Sequence, residues 1–293
     1  SMDKLLEQFS PAFREALIPY EKEMQRAREI RIRVQQPLLL CGRSSFAVPG
    51  FLPGAEDMER LLLAFCDQAL YACEEQLRQG YLTLRGGHRA GICGHVLAEN
   101  GRAVRLHGIQ GISLRIARQM PCDSRVMNVI APSGRLRSVL VVSPPGGGKT
   151  TLLREAARQL SVRGIQVALA DERGELAACV EGVPQLDVGP CTDVMDNLPK
   201  AEAIGMMLRA MSPQVLVSDE IGNAQDAEAL LDAQRCGVKV LCSAHGASYA
   251  EVQARSCVRQ LLRESVFDRV LLLGREPGRI AAVYDREGRP CSD

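Results

Sequence analysis

The sequence predicts an α/β domain built on a mostly parallel sheet, preceded by a smaller α+β domain with an antiparallel sheet. Three observations carry this. From residue 138 onward strand-like and helix-like segments alternate, and several of the strands are apolar on both faces, as a parallel sheet covered on both sides requires. Within that stretch, Ser138-Val-Leu-Val-Val-Ser-Pro-Pro-Gly-Gly-Gly-Lys-Thr-Thr-Leu-Leu153 runs from an apolar strand through a glycine loop into a helix start. Ahead of it, short segments alternate polar and apolar residues with the period of a half-buried strand. The expected division is an N-terminal α+β domain over 1–120 and a second domain over 121–293, which includes a linker of about 121–137 marked by Pro132-Ser133-Gly134.

In the first domain Glu29-Ile-Arg-Ile-Arg-Val alternates charged and apolar residues, and Gln35-Gln36-Pro37 turns the chain toward Leu38-Leu39-Leu40. Residues 56–79 read as one amphipathic helix with Leu61, Leu62, Phe65, Ala69, Leu70, Ala72, Cys73 and Leu77 on its apolar face, stopped by Gly80. Alternating runs follow at 81–84, 91–98 and 103–106, with Asn100-Gly101 as the hairpin turn between the last two. In the second domain strands are expected over 139–143, 166–170, 215–218, 238–243 and 269–273, with 280–284 as an edge hairpin strand. After the glycine loop, Leu152, Leu153, Ala156, Ala157 and Leu160 recur at helical spacing.

Composition bounds the function. The chain has 293 residues, 46% hydrophobic and 24% charged, which suits a globular protein of about two domains. A net charge of +1, spread over both halves, gives no reason to expect a polyanion as the main partner. No apolar run approaches the roughly 18 to 20 residues that span a bilayer and no charged-then-apolar leader is present, so a cytoplasmic location is expected. Eleven cysteines, an odd number with no Cys-x-x-Cys pair, read as reduced thiols. His88, Cys93, His95 and His107 lie close in sequence but fit no structural zinc spacing.

The glycine loop is a phosphate cradle. Gly146, Gly147 and Gly148 let backbone N–H groups turn toward phosphate oxygens, and the following helix aims its positive end at the same place. Lys149 would reach the β- and γ-phosphates of ATP and Thr150, followed by Thr151, would hold Mg²⁺. Lysine is scarce here, only Lys4, Lys22, Lys149, Lys200 and Lys239, and one of the five sits where a compact ammonium is needed. The pattern G-x-x-x-x-G-K-[ST] has Ser143 in place of its first glycine, a small residue that the position tolerates. Downstream, the apolar run Val215-Leu216-Val217-Ser218 carries Asp219 and Glu220 to the carboxyl end of a strand, where open α/β sheets bind ligands. Asp219 suits a metal carboxylate and Glu220 a base for the attacking water. Glu172, after the strand ending at Ala170, and His245, after Ser243-Ala244, reach the same rim. An acidic pair at a strand end also serves as a helix cap, Glu172 also reads as an ion-pair partner of Arg173, and His245 as a loop histidine bonded to backbone.

Cradle, acidic box, Asp-Glu strand end and Ser243-Ala-His-Gly box, in this order over about 109–284, resemble the secretion ATPase family, the hexameric motors of type II and type IV secretion and pilus retraction. Within that family, Glu29-Ile-Arg-Ile-Arg, Gly111-Ile-Ser-Leu-Arg-Ile-Ala-Arg, Asp171-Glu-Arg-Gly-Glu, Thr192-Asp-Val-Met-Asp and Met211-Ser-Pro-Gln-Val-Leu-Val-Ser-Asp-Glu-Ile-Gly are similar to the ATPase of the channel apparatus that joins mother cell and forespore in endospore formers. The resemblance implies a RecA-like P-loop ATPase domain and a ring homo-oligomer, expected to be a hexamer. It also implies recruitment to the cytoplasmic face of membrane channel subunits on the mother-cell side. By position, it implies Lys149, Thr150 and the three glycines as the phosphate and Mg²⁺ site, Asp219 as metal carboxylate, Glu220 as general base, Glu172 as a second polarising carboxylate and His245 as γ-phosphate sensor. Arg115 and Arg118 match arginines that reach a γ-phosphate, against a background of many solvated arginines. Two rivals stay open: a nucleotide-gated docking protein with little turnover, and a motor on nucleic acid. An aromatic content of 4% gives the second no aromatic-lined channel.

Overall fold

The computed structural model describes residues 2–67, 70–118 and 122–292. The chain divides into two compact units, Ser1–Arg118 and Gln119–Asp293.

The first unit opens with three short helices, α1 (Met2–Leu6), α2 (Pro11–Leu17) and α3 (Glu21–Arg26), and continues through strands β1 (Glu29–Arg33), β2 (Leu39–Cys41) and β3 (Ser45–Ala47). Helices α4 (Ala55–Phe65) and α5 (Leu70–Arg78) follow, then β4 (Tyr81–Thr83), β5 (Arg89–Glu99) and β6 (Arg102–Arg115). The six strands form one antiparallel sheet in the order β3-β2-β1-β6-β5-β4. Alternation decides the faces: Ile30 and Ile32 of β1 are fully buried and join Phe9, Phe13, Leu17, Met58 and Leu61 in one core, while Glu29, Arg31 and Arg33 stay half-exposed. Asn100 and Gly101 close the β5–β6 hairpin, both with positive φ as a type I′ turn needs.

The amphipathic segment 56–79 is two helices, not one. Asp67 takes a left-handed backbone, φ +49°, which halts the hydrogen-bond ladder of α4. Periodicity does not register the break, because Leu61, Phe65, Cys73 and Leu77 all still pack on the same core. Ala69 lies outside the described residues, as do the side chains of Leu70 and Ala72.

In the second unit, α6 (Val126–Ile130) precedes β7 (Val139–Ser143), α7 (Lys149–Val162) and β8 (Val167–Asp171). A small hairpin of β9 (Cys179–Val180) and β10 (Val183–Pro184) comes next, followed by β11 (Thr192–Asp196), α8 (Lys200–Ala210), β12 (Val215–Glu220), α9 (Ala224–Arg235) and β13 (Lys239–His245). The chain ends through α10 (Tyr249–Ala254), α11 (Ser256–Arg263), β14 (Arg269–Leu273), β15 (Ile280–Tyr284) and β16 (Pro290–Cys291).

Eight strands form one sheet, ordered β11-β8-β12-β13-β7-β14-β15-β16. The first six are parallel, and β15 and β16 add antiparallel edges. All five residues of β7 and of β8 are buried. On one face, α6 and α7 pack Val129, Ile130, Leu152, Leu153 and Leu160 against Val139, Val141 and Val217. On the other, α8, α9 and α11 pack Ile204, Met207, Leu230 and Leu261 against Leu140, Val142 and Leu216. Each such fully buried side chain contributes roughly 1.5–3 kcal/mol of transfer free energy. The linker expected over 121–137 differs in part: its residues 126–130 form α6, whose Val126, Met127, Val129 and Ile130 are all core. Strand β11 was also not among the expected strands, since Thr192-Asp-Val-Met-Asp has few apolar residues for an edge strand exposed on one side. None of the cysteines among the described residues forms a disulfide.

Candidate functional site

Parallel pairing brings the strand ends of the second unit to one rim. Register sets His245 of β13 beside Ser143 of β7, and Glu220 of β12 beside Ser243, after a shift between Val217 and Glu220 that re-aims the last residues of β12. Asp171 ends β8 on the same edge.

The loop after β7 is folded tightly on itself. Gly147 N–H donates to Pro144 O at 3.1 Å, and Ser143 Oγ donates to the same carbonyl at 2.9 Å. Ser143 is fully buried, and a Cβ at Gly147 would lie 2.7 Å from its Cβ and Oγ. A small residue therefore fits at position 143 and a larger one would push into the loop. Gly148 has φ +86°, and a Cβ there would meet Gly278 N at 2.7 Å. The β14–β15 turn thus lies directly on the cradle, with Gly278 N–H donating to Gly147 O at 2.9 Å and Asp123 N–H donating to Gly278 O at 3.3 Å.

Lys149 and Thr150 begin α7, where the unpaired N–H groups of the first turn and the helix dipole favour an anion. Lys149 Nζ stands 3.8 Å from Glu220 Oε2, so the cradle lysine and the β12 carboxylate face each other. Glu220 Oε1 in turn stands 3.7 Å from the guanidinium of Arg255, in the joint between α10 and α11. Among the described residues, Asp219 Oδ1 has Lys200 Nζ as its ion-pair partner at 2.7 Å and no well-aligned hydrogen bond. Burial pushes the Asp219 carboxyl above its ordinary value, and the adjacent Lys200 ammonium opposes that rise.

Glu172 is exposed and accepts from the backbone N–H of Lys200 at 3.3 Å, at the N-terminus of α8. Its neighbour Asp171 is fully buried and anchors the loop, accepting from Leu176 N at 3.0 Å and Ala177 N at 2.8 Å. Arg115 and Arg118 belong to the first unit. Arg118 donates to the carbonyls of Met24 and Ala27 at the C-terminal end of α3, a bond set that ties it to its own unit. Arg115 ends β6, exposed, opposite Glu29 of β1 and Arg89 of β5.

Mg²⁺ takes hard oxygen donors. The Thr150 hydroxyl in the first turn of α7 and the Asp219 carboxylate, whose Oδ1 lacks a well-aligned hydrogen bond, are donors of that kind. The two suit the ion. Around His88 the arrangement is different: its Nδ1 accepts from Ala117 N at 3.0 Å, and the β5–β6 register shifts on both sides of Gly94, between Cys93 and His95. Among the described residues no group of three or more His, Cys, Asp or Glu is arranged to hold a metal.

The sequence profile of the family described as sporulation stage III, protein AA matches residues 2–291. The chain belongs to this family. Stage III sporulation protein AA of Bacillus subtilis (strain 168) is 38% identical over 301 residues, covering 99% of this chain and 97% of that protein. Among solved structures, the ATPase DotB of Legionella pneumophila superposes with a TM-score of 0.56 at 18% identity, over 90% of this chain and 76% of that one. The pilus retraction motor PilT, solved with bound ADP, does so with a TM-score of 0.50 at 15% identity, over 88% and 77%. At such identities the likeness shows a shared fold, so this sporulation protein AA family member has the fold of motor ATPases. No helix among the described residues is long and apolar enough to cross a membrane.

Two residues at the rim escape a motif reading of this family member. Lys200 is 3% exposed with its ammonium among Asp219, Asp226 and Glu220, and the scarcity of lysine was the one signal that could have found it. Arg255 had none, being one arginine among 36 basic residues.

Proposed function

We propose that this protein is a Mg²⁺-dependent ATPase that powers or gates the channel apparatus between mother cell and forespore during endospore formation. The observation that carries the reading is the approach of Lys149 to Glu220 at 3.8 Å, across the sheet edge from a glycine loop folded for phosphate. Lys149, Gly146, Gly147 and Gly148 hold the phosphates, and Thr150 and Asp219 hold Mg²⁺. The metal, when bound, neutralises charge on the phosphate oxygens. Lys149 leaves Glu220 for the phosphates, which frees a carboxylate within reach of the terminal phosphate to orient water and take its proton. His245 is the proposed γ-phosphate sensor, a role supported by its register beside Ser143. Glu172 as polarising carboxylate and Arg115 as γ-phosphate contact complete the proposed set, and Arg118 joins it only by leaving the carbonyls of Met24 and Ala27. The working form is a ring of identical subunits, a hexamer, recruited to the cytoplasmic face of the membrane channel.

Phosphate release measured by malachite green tests it. Wild type should release phosphate in the presence of Mg²⁺, and Lys149→Ala should lower the rate by at least about 100-fold. Equal, near-background release from both proteins under several salt conditions and with membrane partners added would sink the enzyme reading. A second reading, a docking protein gated by nucleotide with little turnover, is favoured by one observation: Glu172 and Asp219 are both engaged by Lys200. Tight ATP binding without Lys149-dependent release would select it.

A further inference from the structure

Lys200 is joined to two of the chemically important segments of the second unit. Its ammonium lies 2.7 Å from Asp219 Oδ1 and 3.7 Å from Asp226 Oδ2, and donates to the backbone carbonyl of Glu220. Its own backbone N–H donates to Glu172 Oε2 at 3.3 Å. An ammonium has three donors, and here two oxygens of β12 and one of the first turn of α9 surround it. Asp226 is fixed in turn: its Oδ2 accepts from Gly222 N at 2.9 Å, and its N–H donates to the Asn223 side chain at 2.9 Å.

A charge this deep is expensive to bury, and an apolar residue of similar length would pack the start of α8 at lower cost. What the ammonium adds is direction. It holds the Asp219–Glu220 strand end against α8, while the same residue's backbone holds Glu172. We infer that Lys200 is a positioning residue of the hydrolytic site, setting the Asp219–Glu220 strand end and the Glu172 carboxylate in one fixed relation. This rests on the hydrolytic reading above. Lys200 touches neither the glycine loop nor a residue assigned to the phosphates, and of the two residues assigned to Mg²⁺ it touches Asp219 and not Thr150, so its loss acts chiefly on turnover and leaves the grip on the phosphates to the cradle. Displacing catalytic groups by about 1 Å typically costs on the order of 100-fold in rate.

The test uses the full chain with Lys200→Met, read two ways. In steady-state phosphate release, kcat should fall by about 30- to 100-fold while KM for ATP stays within about threefold. In hydrogen–deuterium exchange without nucleotide, amides of 219–223 and 172–175 should exchange faster, with 143–151 unchanged. A kcat within about threefold of wild type overturns the inference, as does unchanged exchange at 219–223. Should the two carboxylates left unpaired unfold this variant, Lys200→Met with Asp226→Asn removes one of them and carries the same expectations. Loss of protection throughout the second unit in both variants also overturns it, because Lys200 would then be needed to fold rather than to position. If wild type itself shows no Lys149-dependent release, the hydrolytic reading fails separately, and the exchange result alone decides the tether.

Discussion

His88 makes the first unit sensitive to acid. Burial, helped by the nearby Arg118 charge, lowers its pKa from the ordinary 6.5 to about 4, and its neutral ring accepts from Ala117 N. Because the folded pKa lies below the unfolded one, its contribution is complete above about pH 6.5 and is lost as pH falls toward 4. The size is on the order of 3 kcal/mol. Urea unfolding followed at pH 7, 5.5 and 4 should show that loss in wild type and a flatter dependence in His88→Gln; parallel curves for the two proteins would refute it. At this scale the legibility of the sequence was uneven for a physical reason. Lys149, Thr150, Asp219 and Glu220 were readable because phosphate and metal chemistry demand those residue types beside a glycine loop or at a strand end. Lys200 was not, since its partner Glu220 is 20 residues away along the chain and only the fold brings them together. A separation of 28 residues hid the engagement of Glu172 by α8, and separations of 94 and 91 residues hid that of Arg118 by α3.

The glycine loop and the β14–β15 turn act as one element. Their link is the bond from Gly278 N to Gly147 O, and a Cβ on Gly148 would stand 2.7 Å from that same nitrogen. Gly148→Ala therefore meets both a backbone of φ +86° and a steric block, of which the first alone costs roughly 1–2 kcal/mol. The expected outcome is at least a tenfold loss of affinity for a fluorescent ATP analogue, with a melting temperature lower by a few degrees; unchanged affinity would show that the turn and the loop move independently. Elements with strong periodicity were visible beforehand. The all-buried strands β7 and β8 and the hairpin at Asn100-Gly101 are examples, because burial on both faces and a type I′ turn leave few alternatives in residue choice. The break between α4 and α5 was not visible, for one left-handed residue, Asp67, interrupts a helix without disturbing its apolar stripe. Helix α6 was hidden by its brevity, five residues running into a proline turn at Pro132–Gly134.

At the scale of the whole molecule, the proposed ring is the expectation that no single chain displays. Light scattering should give a monomer-like mass without nucleotide and a mass near six chains with a non-hydrolysable ATP analogue and Mg²⁺, and Lys149→Ala should fail to make that step. A mass independent of nucleotide in wild type would argue against assembly driven by ATP. The sheet order bears on how such a machine is dimensioned. Strand β13 lies between the cradle strand β7 and the acidic strand β12. With strands about 4.8 Å apart, the interposed one sets β7 and β12 about 9.6 Å from each other. The Lys149 and Glu220 side chains reach across that width to within 3.8 Å of each other. The interposed strand is thus a spacer that two long side chains together cross, so shortening either one, as Glu220→Asp would, parts the pair without moving the strands.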